Sequence, residues 1–216
     1  MRQLPSDKYN VAWFKLAEFV SRGEKERALG LYRLLMHSFD DQALALQLEG
    51  DILLSFSDVA ATERYEKAAF LYAQQGRFVE AMTILEHIIF LKPDALIALK
   101  KLLDLLDVQK DYIRVVELLE RIAIIFCKQQ MLQGVEEWLE FYQPFLKVHD
   151  KAELYKKIVV ELCKHSSYGF EIRKLWLKKA LDYSLESADA GIQKFLETLC
   201  VLDEDLYLFA CDYIQK

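Results

Sequence analysis

The chain has 216 residues, 53% of them hydrophobic and 29% charged, with only 7 Gly and 3 Pro. That length can bury a sizeable core, as one domain or as a single repeat array. So few Gly and Pro exclude a many-turned β-sandwich or barrel, and equally a Pro/Ser-rich disordered, collagen-like or mucin-like chain. A formal net charge of −6 sets the whole-molecule field against phosphate backbones, so nucleic acid is not an expected partner.

The longest compact apolar run, 122–127, is six residues long, far below the roughly 18 needed to span a bilayer. The N-terminal octet, from Met1 to Lys8, has no hydrophobic stretch of the signal-peptide kind. No membrane insertion is expected. Four cysteines, Cys127, Cys163, Cys200 and Cys211, sit mostly among apolar residues and form no CxxC pair. They read as free thiols in a reducing compartment, which makes the cytoplasm the expected location. A hydrophobic content of 53% is more than an elongated array easily hides, so apolar surface is expected to remain for a partner or a second copy of the chain.

The apolar period is helical nearly everywhere, so the fold class is all-α. Apolar residues recurring at three- and four-residue steps predict helices at 8–21, 25–38, 42–56, 59–75, 77–91 and 94–108. The pattern continues at 111–127, 131–146, 150–165, 169–184, 188–200 and 203–215. In 77–91, for example, Phe78, Ala81, Met82, Leu85, Ile88 and Ile89 form one stripe. Gly23, Gly76 and Gly169 fall where the chain can turn with positive φ. Asp58, Asp94, Asp111 and Asp203 precede helices as N-cap candidates. Pro144 interrupts or ends the helix that contains it. Gly30 and Gly50 lie inside helices, where each costs about 1 kcal/mol relative to Ala; each either marks a close helix contact or breaks its helix. Twelve helices joined by short turns make a row of antiparallel hairpins.

Tyr65, Ala68, Ala69, Tyr72, Gly76, Phe78, Ala81, Leu85, Ile88 and Pro93 stand in a recurring order: bulky, small, aromatic, turn glycine, aromatic, alanine, large, closing proline. This order resembles the tetratricopeptide repeat (TPR) family. Ala81 to Val115 is 34 residues, the repeat length of that family, and Lys110 stands where the turn glycine is expected. Leu16, Phe19, Gly23, Ala28, Tyr32 and Leu35 fit an earlier unit at 9–42. The match is good over 62–129, fair over 9–42 and weak after 130. The resemblance implies an α-solenoid of TPR-like hairpins over 1–129, with one extra helix near 43–57. Residues 130–216 are then diverged hairpins or a capping region, in which only Trp176, Leu177, Ala180 and Leu181 look family-like. Small residues such as Ala69 and Ala81 let helix backbones approach to about 8–10 Å.

Chemistry finds no support. His37, His87, His149 and His165 are scattered, with no pair at a metal-ligand spacing. Cys163-Lys164-His165 reads as a helix-end histidine beside a core cysteine. Asp203-Glu204-Asp205 fits helix capping and the helix dipole better than a cation site. There is no GxxxxGK[ST], GxGxxG or GxSxG, and Ser166-Ser167 has no identifiable base. No metal, cofactor or catalytic activity is expected.

Charge is uneven. Nine acids face three bases over 40–91, and eight bases face four acids over 151–182. Lys156, Lys157, Arg173, Lys174, Lys178 and Lys179 could present a secondary basic face to an acidic peptide tail, or be an ordinary solvated helix face. The TPR resemblance implies a concave groove lined by the first helix of each hairpin. Its positions would be Trp13 and Ala17, then Glu66, Phe70 and Gln74, then Lys100, Lys101 and Asp104. Phe70 is the expected anchor, because an exposed aromatic buries much area at little entropic cost; Trp13 and Phe70 could instead be covered by neighbouring helices. Phe70 and Asp104 stand where chaperone-tail clamps of the family carry asparagines, so a hydrophobic or mixed-charge ligand is favoured. The expected function is an adaptor or scaffold that binds a peptide or helix of a partner protein. A TPR-type chaperone for a specific client and a structural homo-oligomer or complex subunit are the alternatives.

Overall fold

The structure is a computed structural model, and residues 5–36, 40–165 and 167–215 are described, with side chains from residue 11 onward. Residues 37–39, at the expected end of the second helix, and Ser166 lie outside them. Every regular element among the described residues is helical. The first six helices are α1 (Pro5–Ser21), α2 (Lys25–Met36), α3 (Gln42–Ser55), α4 (Ala60–Gln74), α5 (Phe78–Leu91) and α6 (Leu96–Gln109). They are followed by α7 (Tyr112–Lys128), α8 (Leu132–Tyr142), α9 (Val148–Lys164), α10 (Phe170–Glu186), α11 (Ile192–Leu202) and α12 (Glu204–Ile214). Pro144 ends α8: it sits in a 3-10 turn, Gln143–Phe145, after the last α-helical residue. No described helix is long and apolar enough to cross a membrane.

Six helix ends share one device. Gly23, Ser57, Gly76, Lys110, Gln130 and Ala188 all adopt φ between 50° and 74°. At Gly76 the amide donates to Ala73 O (3.0 Å) and the next amide, Arg77, donates to Tyr72 O (2.9 Å). The same pair of bonds recurs at the other five positions, and it closes the orphan carbonyls of the last helical turn. Only two of the six residues are glycine, so four positions carry the steric cost of a left-handed Cβ. Lys110 is one of them, in the position where the repeat pattern expects glycine. Gly169 differs from expectation: its φ is −65°, and it opens α10 as the N-cap residue. Side-chain caps come from Asp58 to Ala60 N (2.8 Å), Asp111 to Arg114 N (3.3 Å) and Asp203 to Leu206 N (3.1 Å). Asp41, which the sequence reading passed over, caps α3 at Leu44 N (3.0 Å).

The chain packs as two compact units that divide between Leu105 and Leu106, inside α6. The motif-based boundary after 129 follows the quality of the repeat match, whereas this division follows packing. In the first unit α4 lies between α3 and α5. Its Tyr65, Ala68, Ala69 and Tyr72 are buried, as are Ala81, Leu85 and Ile88 of α5. Gly50 of α3 marks a close approach, since a Cβ there would stand 2.7 Å from the Tyr65 ring. Gly30 does not: a Cβ there meets nothing within 4 Å. Arg77, just beyond the α4 reversal, lies over the Tyr72 ring (4.4 Å) and pairs with the α3 cap Asp41 at 2.6 Å. In the second unit α9 packs against α7, α10 and α11. Leu154, Ile158 and Leu162 of α9 are fully buried with Trp176 of α10, whose ring lies 5.5 Å from Tyr155. Trp176 is therefore a core residue.

The glycine geometry yields opposite outcomes in one urea-unfolding series. Gly50→Ala and Gly76→Ala are expected to lower stability by about 1 kcal/mol or more. Lys110→Gly and Gln130→Gly are expected to raise it by up to about 1 kcal/mol by relieving the left-handed Cβ. Gly30→Ala gains through helix propensity, again by up to about 1 kcal/mol. A loss at Lys110→Gly or at Gly30→Ala would contradict this account of the reversals and contacts.

Candidate functional site

The outward stripe of α4 is the complement of its core stripe. With Tyr65, Ala68, Ala69 and Tyr72 turned inward, helical geometry sends Glu63, Glu66, Lys67 and Phe70 to the other side. These four, with Leu46 of α3, Leu71 of α4 and Lys101 of α6, line a surface pocket of about 400 Å³. Phe70 is 55% exposed at this pocket. Glu63 is held by Lys67 at 2.6 Å, which draws its carboxyl below the usual range. Glu66 and Lys101 form no ion pair among the described residues. The pocket therefore offers an apolar floor, one aromatic ring and two unengaged charges of opposite sign.

A second hollow of about 590 Å³ shares Leu46 and Leu71 with it and extends the surface onto α2 through Tyr32, Arg33 and Met36. Tyr32 hydrogen-bonds the Ala45 carbonyl, and its burial, then the nearby Glu49, push its hydroxyl up to about 12. It thus stays neutral and ties α2 to α3.

Of the eight groove residues expected from sequence, Glu66, Phe70 and Lys101 come together in one pocket. Gln74, Lys100, Asp104 and Ala17 are exposed and Trp13 is half-buried, outside its lining. The sequence reading missed Leu46, Leu71 and the whole contribution of α3. A signal existed: 43–48 reads Ala-Leu-Ala-Leu-Gln-Leu, apolar on more than one side, as a helix with neighbours on more than one face must be.

The basic residues of the second unit are dispersed and largely engaged. Lys156 is buried, with Nζ 2.5 Å from both Glu153 and Asp189, and so is not part of a solvated basic face. Arg173 pairs with Asp203, and Lys157 pairs with Glu120 at 2.5 Å. Lys174 and Lys178 lie over the Phe209 ring, and Lys179 lies over Trp176. His149, Glu153 and Asp189 converge closely enough to share an ion, but the Lys156 ammonium already bridges the two carboxylates. Burial alone would lower the Lys156 pKa, yet hydrogen bonds to Asp189 and Glu153 raise it. Burial likewise opposes ionisation of Asp189, and the bonds from Lys156 and the Gly191 amide outweigh it and lower its pKa.

No family model and no curated protein matches this chain.

The Lys156–Asp189 pair gives a pH-dependent outcome. Asp189 has a depressed folded pKa, so its contribution is present above the ordinary carboxylate range and is lost as pH falls through the folded value. Asp189→Ala leaves a buried ammonium short of one partner and is expected to cost about 3 kcal/mol at neutral pH. That deficit should shrink as the parent chain is acidified below about pH 4. Urea unfolding followed by circular dichroism at several pH values checks it, and a pH-independent deficit would contradict the assignment.

Proposed function

We propose that this chain is a non-catalytic protein-interaction module, an adaptor or scaffold built as an α-solenoid of TPR-like hairpins. It holds a peptide or helix of a partner protein against the α3–α4–α6 surface. The observation that carries this reading is Phe70: a large aromatic, 55% exposed, on a helix whose opposite stripe is fully committed to the core. Covering the rest of that ring contributes about 1–2 kcal/mol to binding. Leu46 and Leu71 supply the apolar floor beside it. Glu66 and Lys101, unengaged within the chain, set the orientation of a mixed-charge ligand. Cysteines with no disulfide among them suit a reducing compartment such as the cytoplasm.

The test compares the parent chain with Phe70→Glu in a pull-down from a lysate of the source organism, at matched circular dichroism. Specific proteins held by the parent are expected to be lost, with affinity falling roughly thirty-fold, the consequence of about 2 kcal/mol at an anchor position. Unchanged capture removes Phe70 from the site. A client that becomes soluble only on co-expression would redirect the reading to a chaperone. Concentration-dependent light scattering that Phe70→Glu abolishes would redirect it to a homo-oligomer.

A further inference from the structure

The second unit carries its own cleft, of about 420 Å³, between α7, α9 and α11. Its floor is apolar: Ile124 of α7, Val160 of α9 and Phe195 of α11. Lys157 and Lys164 of α9 and Lys194 of α11 stand around that strip, with Glu153, Lys156 and Glu161 of α9 in the same lining. The two α9 lysines are seven residues apart, about 10 Å along the helix axis and on one face.

The carboxylates paired with the two α9 lysines are less exposed than the lysines themselves, and Glu153, 37% exposed in the same lining, is held by the buried Lys156. Lys157 is 49% exposed against 18% for its partner Glu120. Lys164 is 52% exposed against 7% for Glu161. Lys194 is exposed and forms no ion pair among the described residues. A ligand arriving from solvent therefore meets ammonium groups first. Each ammonium has three N–H donors and gives one to its internal partner, so donor capacity remains without breaking any pair.

We propose that this cleft is a docking surface for an acidic amphipathic helix of a partner protein, separate from the Phe70 surface. Carboxylates seven residues apart on such a helix reach Lys157 and Lys164. Apolar residues between them cover Val160 and Phe195, and a further acid meets Lys194. The apolar strip is what favours a peptide over a bare phosphate backbone, which has nothing to place on it. The charge is what excludes a basic helix, whose approach three ammonium groups oppose.

The test pans the full chain against a phage-displayed library of random peptides of about 15 residues, roughly four helical turns. Selected sequences are expected to carry acids seven apart flanking apolar residues. A labelled selected peptide should then bind in solution, more weakly as salt rises. Lys194→Glu, at an exposed and unpaired position, is expected to weaken that binding roughly ten-fold or more, and Lys157→Gln several-fold. Phe70→Glu should leave it unchanged, which separates this surface from the first. Failure to select any peptide would overturn the proposal, as would selection without acidic enrichment. So would binding that survives both lysine variants with helicity intact. Full displacement by phosphatidylserine vesicles or by polyuridylate at equal charge concentration would overturn it in favour of an anionic membrane or a nucleic acid.

Discussion

Six helix ends among the described residues depend on the same pair of backbone bonds. Gly23, Ser57, Gly76, Lys110, Gln130 and Ala188 each close the last turn of a helix and turn the chain out of it. Without that closure the terminal carbonyls would need water, and the following helix would leave at another angle. Four of the six residues adopt this conformation against their own steric preference. What holds them there is tertiary: the helices on either side bury enough apolar surface to outweigh about 1 kcal/mol of local strain per site. The turns and the packing therefore specify each other.

The interior of each unit solves a different problem. In the first, close approach is the constraint, met by Gly50 beneath the Tyr65 ring and by Ala68, Ala69 and Ala81 at zero to 2% exposure. In the second, the constraint is a charge. Lys156 is withdrawn from water and is stable there only because Glu153 and Asp189 surround its ammonium. Asp189 also accepts the Gly191 amide at 2.8 Å, so the same carboxylate fixes the chain entering α11 against α9. That placement forms the wall of the α7–α9–α11 cleft.

The candidate sites were only partly legible. Phe70 was named only as a groove position that the TPR resemblance implies, and it is exposed because the core stripe at Tyr65, Ala68, Ala69 and Tyr72 turns its opposite face outward. Leu46 and Leu71 were not named, since nothing in a one-dimensional pattern says which neighbour an apolar side chain meets. The basic segment misled in an instructive way. Consecutive lysines such as Lys156 and Lys157 lie about 100° apart on a helix, and here one is buried while the other faces solvent. Lys157 finds its surface neighbours in Lys164 and in Lys194 of another helix, a grouping invisible to a count of charge along the chain.

By itself the sequence determined the all-α class, the number and approximate limits of the helices, and the caps at Asp58, Asp111 and Asp203. All of these are local: period and capping oxygens act within a few residues, and no distant contact reverses them. Only the tertiary structure decided that Gly50 is a contact and Gly30 is not, that Gly169 opens a helix in an ordinary conformation, and that Lys156 is buried. It also decided that Glu66, Phe70 and Lys101 share one pocket. Those outcomes depend on which helix faces meet, and that is set by the summed packing of residues far apart in the chain rather than by any of them alone.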